Sequence, residues 1–261
     1  LDGLALRLLQ AASGTAETEA VGEALLRESL DLRRRTLGED HLDVALSLDS
    51  LSTAHFFQGR FDEAEDEERR CLTIRLQWLP DSDRLVAFAR YGLGAILIKE
   101  GRYAEAEPLL SAAIAVFRTM QPPDPGQLAD GLNTLADLYR SQCRFREAEE
   151  RFQEALRVAE TSGEGSRSEQ ARLANNLAGL YKDEGRYDEA EVLLRRSLAL
   201  REQAEAADPA DLATAWLNLA ELARVRGQLQ EAGPLYTKAL DMARPAFGRD
   251  NPELSWFLNQ K

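Results

Sequence analysis

The sequence predicts an all-α fold, an α-solenoid of antiparallel helix pairs, on three observations. A short phrase recurs every 42 residues: GRFDEAE from Gly59, GRYAEAE from Gly101, CRFREAE from Cys143, GRYDEAE from Gly185 and GQLQEAG from Gly227. Around each copy, apolar and small residues fall at spacings of three, four and seven, which share one face of a helix. Breaker-rich connectors stand at corresponding places in the period: LGEDH (37–41), LPDSD (79–83), PPDPG (122–126), SGEGS (162–166), DP (208–209) and GRDNP (248–252). A fixed period of this size marks an array in which each unit buries its apolar face against its neighbours.

Helix A comes first in each unit. Leu51, Leu93, Leu135, Leu177 and Leu219 stand eight residues before the anchor of the phrase, each followed by a small residue: Ser52, Gly94, Ala136, Ala178 and Ala220. Four residues after the leucine come Tyr139 and Tyr181; His55 takes that slot in the first full copy and is assigned a packing role. Gly92 and Gly94 lie within helix A, where close helix packing explains them better than phosphate binding. The anchor glycines suit a left-handed helix C-cap. Cys143 replaces one of them, which predicts a less comfortable turn there.

Helix B follows. The slots of Ala64, Cys71 and Leu72 recur as Ala106, Ala113 and Ile114, as Ala148, Ala155 and Leu156, as Ala190, Ser197 and Leu198, and as Ala232, Ala239 and Leu240. Small side chains there let two helices approach closely. Glu63 and Glu65, with their equivalents, complement the dipole at the start of helix B. Glu68 occupies the slot of Leu110, Phe152, Leu194 and Tyr236, which predicts looser packing around it. Gln228, Leu229 and Gly233 make the last full turn atypical.

The same register runs back to Leu6 and Leu9 in a helix A, with Gly22, Ser29 and Leu30 in a helix B. The reading is one solenoid over 1–261, with repeats at 1–40, 41–82, 83–124, 125–166, 167–208 and 209–250 and a partial repeat at 251–261. Its last element is a truncated helix A from Glu253 to Lys261. Both ends read as cuts, so a piece of a longer protein is expected.

Composition narrows the function classes. A net charge of −13 argues against a nucleic-acid partner, which needs a basic patch. No apolar run approaches the roughly 18 residues of a membrane span, and LDGLALRLLQ lacks the basic start of a signal peptide. Two cysteines, Cys71 and Cys143, do not make a disulfide framework. A cytoplasmic location is expected.

Leu-small-x-x-Tyr in helix A, Gly-x-aromatic-x-x-Ala at the turn and a small-aliphatic pair in helix B resemble the tetratricopeptide repeat. With a period of 42, Leu37 to His41 before helix A, and Asn175 to Ala178 within it, the variety is similar to the repeats of kinesin light chain. Many bacterial proteins carry such arrays, and a bacterial source is expected. The resemblance implies a right-handed superhelical α-solenoid and a protein-binding scaffold whose A helices line a concave groove.

Catalytic chemistry finds no footing. His41 and His55 are the only histidines, no His-Glu-x-x-His or Cys-x-x-Cys spacing occurs, and no phosphate-binding loop is present. No cofactor or metal is expected, and the chain is read as a non-enzyme. The groove face of helix A carries Asp49, Ser50, Thr53, Phe56, Phe57, Phe88, Tyr91, Ile98 and Lys99 in the early copies. Later copies carry Asn133, Thr134, Asp137, Arg140, Arg172, Asn175, Asn176, Lys182, Asn218, Glu221 and Arg224. An amide donates and accepts at once, and arginine grips carboxylates with two bonds. The expected partner is therefore a protein or peptide segment, with apolar anchors toward Phe56–Tyr91 and acidic groups toward Arg140–Arg224. Two other readings stand beside this one: a regulatory or sensor arm of a larger enzyme (a kinase, nucleotide-dependent switch or protease), and a self-assembly module.

Overall fold

The computed structural model describes residues 16–163, 167–204 and 208–247. The predicted first helix A, with Leu6 and Leu9, and the last one, Glu253 to Lys261, lie outside the described residues. Eleven helices are described and, among these residues, no strand. The chain forms two compact units, Leu1–Asp124 and Pro125–Lys261.

The first unit holds α1 (Ala16–Leu37), α2 (Leu42–Phe57), α3 (Phe61–Trp78), α4 (Arg84–Lys99) and α5 (Tyr103–Phe117). The second holds α6 (Pro125–Ser141), α7 (Phe145–Thr161), α8 (Arg167–Asp183), α9 (Tyr187–Glu202), α10 (Pro209–Val225) and α11 (Leu229–Phe247). Within each unit the pairs α2–α3, α4–α5, α6–α7, α8–α9 and α10–α11 pack most extensively, and each B helix also touches the A helix that follows it in the same unit. Each unit is thus an all-α array of adjacent helix pairs. Among the described residues, no helix is long and apolar enough to cross a membrane.

The turn between A and B is the same closure each time. Gly59, Gly101, Gly185 and Gly227 take φ of 75, 75, 75 and 78°. Cys143 follows them into the left-handed region at φ 58°, where a side chain costs about 1–2 kcal/mol that glycine does not. The next residue's N–H reaches back to cap the helix: Arg60 N to His55 O at 2.9 Å, Arg144 N to Tyr139 O at 2.9 Å, Arg186 N to Tyr181 O at 2.8 Å. This six-to-one bond is the Schellman closure. At the opposite ends, His41 Nδ1, Asp83 Oδ1 and Asp208 Oδ1 accept from the N–H two residues on. The connector read at 122–126 gives up its last two residues to α6, because a proline at the first helical position lacks only an N–H that would be unpaired anyway.

The arginine after three of the anchors joins neighbouring repeats, a role the sequence reading leaves unassigned. Arg60 donates to Glu23, Arg102 to Glu65 and Arg186 to Glu149, each 37 residues back. Arg186 also lies over the Tyr181 ring at 3.9 Å and donates to Glu189 at 2.6 Å, and these carboxylates hold its guanidinium firmly charged. Arg186→Ala is expected to destabilise the second unit by about 1–2 kcal/mol, since charge-assisted bonds count for more than exposed ion pairs. Arg186→Lys is expected to recover less than half of that, because an ammonium neither stacks nor forks. Denaturant midpoints followed by circular dichroism check both; a lysine variant as stable as the parent would reduce the clamp to a point charge.

Packing around Glu68 departs from expectation. Instead of a loose region, Glu68 is 2% exposed, with Cys71 and Ile74 at 0%. The reason is Gly92: a Cβ there would stand 3.1 Å from Glu68 Oε1, so the missing side chain makes room for the carboxyl. Burial, reinforced by the Asp49 charge, pushes the Glu68 carboxyl up to about 8. Gly94 has the packing role expected of it, since a Cβ would meet Leu110 Cγ at 2.8 Å.

Candidate functional site

A cleft of about 190 Å3 opens in the second unit, lined by Arg140, Asn175, Asn176, Ala178, Gly179, Lys182, Leu194 and Asn218. Five of these are residues singled out in the sequence: Arg140 from α6, Asn175, Asn176 and Lys182 from α8, and Asn218 from α10. They converge because the repeat places the same helical face of successive A helices side by side.

The asparagines form a rail. Asn176 Nδ2 donates to Asn133 Oδ1 at 2.8 Å, and Asn218 Nδ2 donates to Asn175 Oδ1 at 2.6 Å. Each bond links residues 43 apart, hence adjacent repeats. Asn133 is itself buried and donates to Asp137 at 3.3 Å. It lies beneath the rail and supports it.

The arginines are engaged within the array. Arg140 Nε meets Asp183 Oδ2 at 2.6 Å, Arg172 pairs with Asp130, and Arg224 donates to Glu221 at 2.8 Å. Glu221 also accepts from Tyr236. Burial would raise its carboxyl, but Arg224, Tyr236 and the Lys182 charge together hold it below the usual range. Lys182 makes no hydrogen bond or ion pair among the described residues. It is the cation of the cleft held by no direct bond, although its charge acts on Glu221.

Gly179 was legible but overlooked. A Cβ there would lie 3.2 Å from Arg140 Nη1, so this helical glycine lets the guanidinium lie flat along the cleft wall. A glycine inside a helix, away from any cap, is the signal that marks it. Ala178 and Leu194, recognised as packing slots, complete an apolar wall.

In the first unit the predicted aromatics separate. Tyr91 and Phe88 rest against Phe117, with ring centroids 6.3 and 5.5 Å away. Phe57 stands 82% exposed, edge-on to Phe56. Tyr91 is therefore half-buried on a small aromatic cluster, and Phe57 is, among the described residues, the large apolar side chain most open to solvent.

The tetratricopeptide repeat profile matches residues 20–77, 85–161, 127–203 and 211–260. Among solved structures, BtubC (BKLC) from P. vanneervenii is 24% identical, covering 91% of this chain and 95% of its own, with a TM-score of 0.73. A kinesin light chain from Podosopora anserina with nearly identical TPR-like repeats is 19% identical, covering 78% and 97%, with a TM-score of 0.66. The apo quorum sensor NprR from B. thuringiensis is 17% identical, covering 91% of this chain and 63% of its own, at a TM-score of 0.71. At such identities the likeness is one of fold. The search of curated proteins finds no match. Repeats of this kind serve in general as protein- and peptide-binding scaffolds and are generally non-catalytic. With left-handed turns every 42 residues, small-on-large helix contacts and the profile spanning most of its length, this chain belongs to the tetratricopeptide repeat family.

Proposed function

We propose that the chain is a non-enzymatic scaffold that docks a segment of a partner protein along the A-helix face, with the cleft at Asn175, Asn176 and Lys182 as its polar centre. The observation that carries this reading is the convergence of Asn175, Asn176, Asn218 and Lys182 on one cleft. Amides suit a peptide backbone, which offers a donor and an acceptor at each residue. Lys182 adds a point charge for an acidic side chain, and Ala178 and Leu194 give its methylenes an apolar wall. Tyr91, Asn133, Asp137, Arg140, Arg172, Asn218, Glu221 and Arg224 make up the rest of the proposed face in their own units, the paired arginines holding its shape.

Displayed random peptides selected on the full chain test this. Selected sequences are expected to be enriched in Asp and Glu. Their affinity is expected to fall about 10–100-fold for Lys182→Ala, the range of one lost charge-assisted bond, with an unchanged thermal melt. Arg172→Ala with Asn176→Ala is expected to weaken the same peptides. If selected peptides bind all variants like the parent, the cleft is not the docking site.

A further inference from the structure

The first unit contains a polar cluster that peptide docking does not use. Asp49 on α2 and Glu68 and Cys71 on α3 bring two carboxylate oxygens and a sulfur within 4.8 Å of one another. Repetition supplies an internal control. One period on, the slots of Asp49, Glu68, Cys71 and Arg75 hold Tyr91, Leu110, Ala113 and Phe117; two periods on, they hold Asn133, Phe152, Ala155 and Ala159. The fold fills the slots of Asp49, Glu68 and Cys71 elsewhere without a carboxylate or a thiol, so packing does not require these three groups, whereas the Arg75 slot carries arginine again at Arg201.

Two further observations point to a ligand. Glu68 Oε1 is fully buried and has no hydrogen-bond partner, a state that native structures rarely leave unexplained. Gly92 makes the room that this carboxyl occupies, and its slot carries Ser50, Thr134, Asn176 and Asn218 in other copies. Arg75, itself 3% exposed, donates to Asp49 Oδ2 at 3.1 Å and to Leu85 O at 2.9 Å. It thereby fixes the one carboxylate of the three groups that reaches the surface, since the Asp49 side chain is 34% exposed.

We propose that Asp49, Glu68 and Cys71 form a binding site for a divalent cation of the zinc class. A thiolate with two carboxylates suits Zn2+ and its soft relatives, whereas Mg2+ and Ca2+ take oxygen alone. With both carboxylates and the thiol ionised beside Arg75, the cluster carries two negative charges in excess, which one such ion cancels. Bond lengths of about 2.0–2.3 Å place tetrahedral ligands about 3.5 Å apart, so side-chain shifts of about an ångström close the site. Arg75 orients the Asp49 carboxylate from outside, as metal-binding carboxylates require.

The experiment uses the full chain carrying Cys143→Gly, which removes the other thiol at a turn whose φ favours glycine. Cadmium is titrated in and the thiolate-to-metal charge-transfer absorption recorded, with Zn2+ as competitor. One equivalent is expected to saturate the band, and Zn2+ to abolish it. Cys71→Ala and Glu68→Leu place in those slots the residues that fill them one period on. The first is expected to lose the band, and the second to weaken Zn2+ binding by at least about tenfold. Absence of a band would overturn the site. So would a band equally strong and equally tight in Glu68→Leu, which would be binding by the thiol alone.

Discussion

Phe152→Ala is expected to lower the stability of the second unit by about 3–5 kcal/mol, while Phe152→Leu costs about 1–1.5 kcal/mol. Phe152 is the largest side chain of α7 with no exposure, and it belongs to the recurring B-helix slot that faces the small residue of helix A. The first unit shows that contact directly: Leu110 lies so close to Gly94 that an added Cβ would stand 2.8 Å from its Cγ. The equivalent pair one period on is Ala136 and Phe152, so a large side chain seats on a small one at each layer. Truncation to alanine removes the ring's transfer energy and leaves a cavity between helices that the turn closure prevents from collapsing. Leucine fills the slot at Leu110 and Leu194 and keeps most of the contact. Because repeats are stabilised mainly by their nearest neighbours, the loss is not absorbed elsewhere. Denaturant unfolding of the full chain, followed by circular dichroism, measures both variants. An alanine variant within about 1 kcal/mol of the parent would mean that the slot is not a packed contact, and leucine as costly as alanine would mean that ring shape matters more than filling.

The parts of the molecule legible in sequence are those that repeat. Helix pairs, left-handed turns and the small-on-large layers follow from spacing, because five copies report the same local physics. Even Cys143 obeys its neighbours, taking φ 58° where the others have glycine at 75–78°. Side chains joined across repeats were harder to read. Arg186 and Glu149 are 37 residues apart, and nothing in a single copy says that the arginine reaches back to the preceding helix B. The cleft was legible as a list of residues on one face, but not as a shape. That Arg140 turns to Asp183, leaving Lys182 without a direct bond, depends on the room Gly179 gives and on the partner each guanidinium meets. Departures from the repeat proved as informative as the repeat itself. Glu68 and His55, each in a slot held by apolar or aromatic residues elsewhere, are fully buried among charges rather than loosely packed.

For His55 the expected result is a stability that falls as the pH rises. The ring is wholly buried in the last turn of α2. Its Nδ1 lies 2.7 Å from Glu67 Oε2 on α3, close enough for a direct bond. Its Nε2 is 3.3 Å from Glu23 on α1 and 3.8 Å from Glu63 on α3, contacts of charge rather than aligned hydrogen bonds. Arg27 pairs with Glu23, and Arg60 with both Glu23 and Glu63. Three carboxylates against two guanidiniums leave one negative charge, which a protonated imidazole cancels. The Glu67 hydrogen bond raises the histidine above its ordinary value of 6.5; burial opposes this, while the charge of Glu67 and the proximity of Glu23 add to it. Because the folded value lies above the unfolded one, the stabilisation is fully present below pH 6.5 and is lost as the pH passes through the folded value. His55→Leu, matching Leu97 one period on, is expected to cost roughly 2–4 kcal/mol at pH 6, where the charged pair is intact. That cost shrinks at pH 9, by about 1.4 kcal/mol for each unit by which the folded value is raised. Denaturant midpoints at the two pH values, for parent and variant, give the difference directly. A cost that does not change with pH would mean that the imidazole acts only as a packing residue, and that the ion pairs of Arg60 with Glu23 and Glu63 hold α1 in place without it.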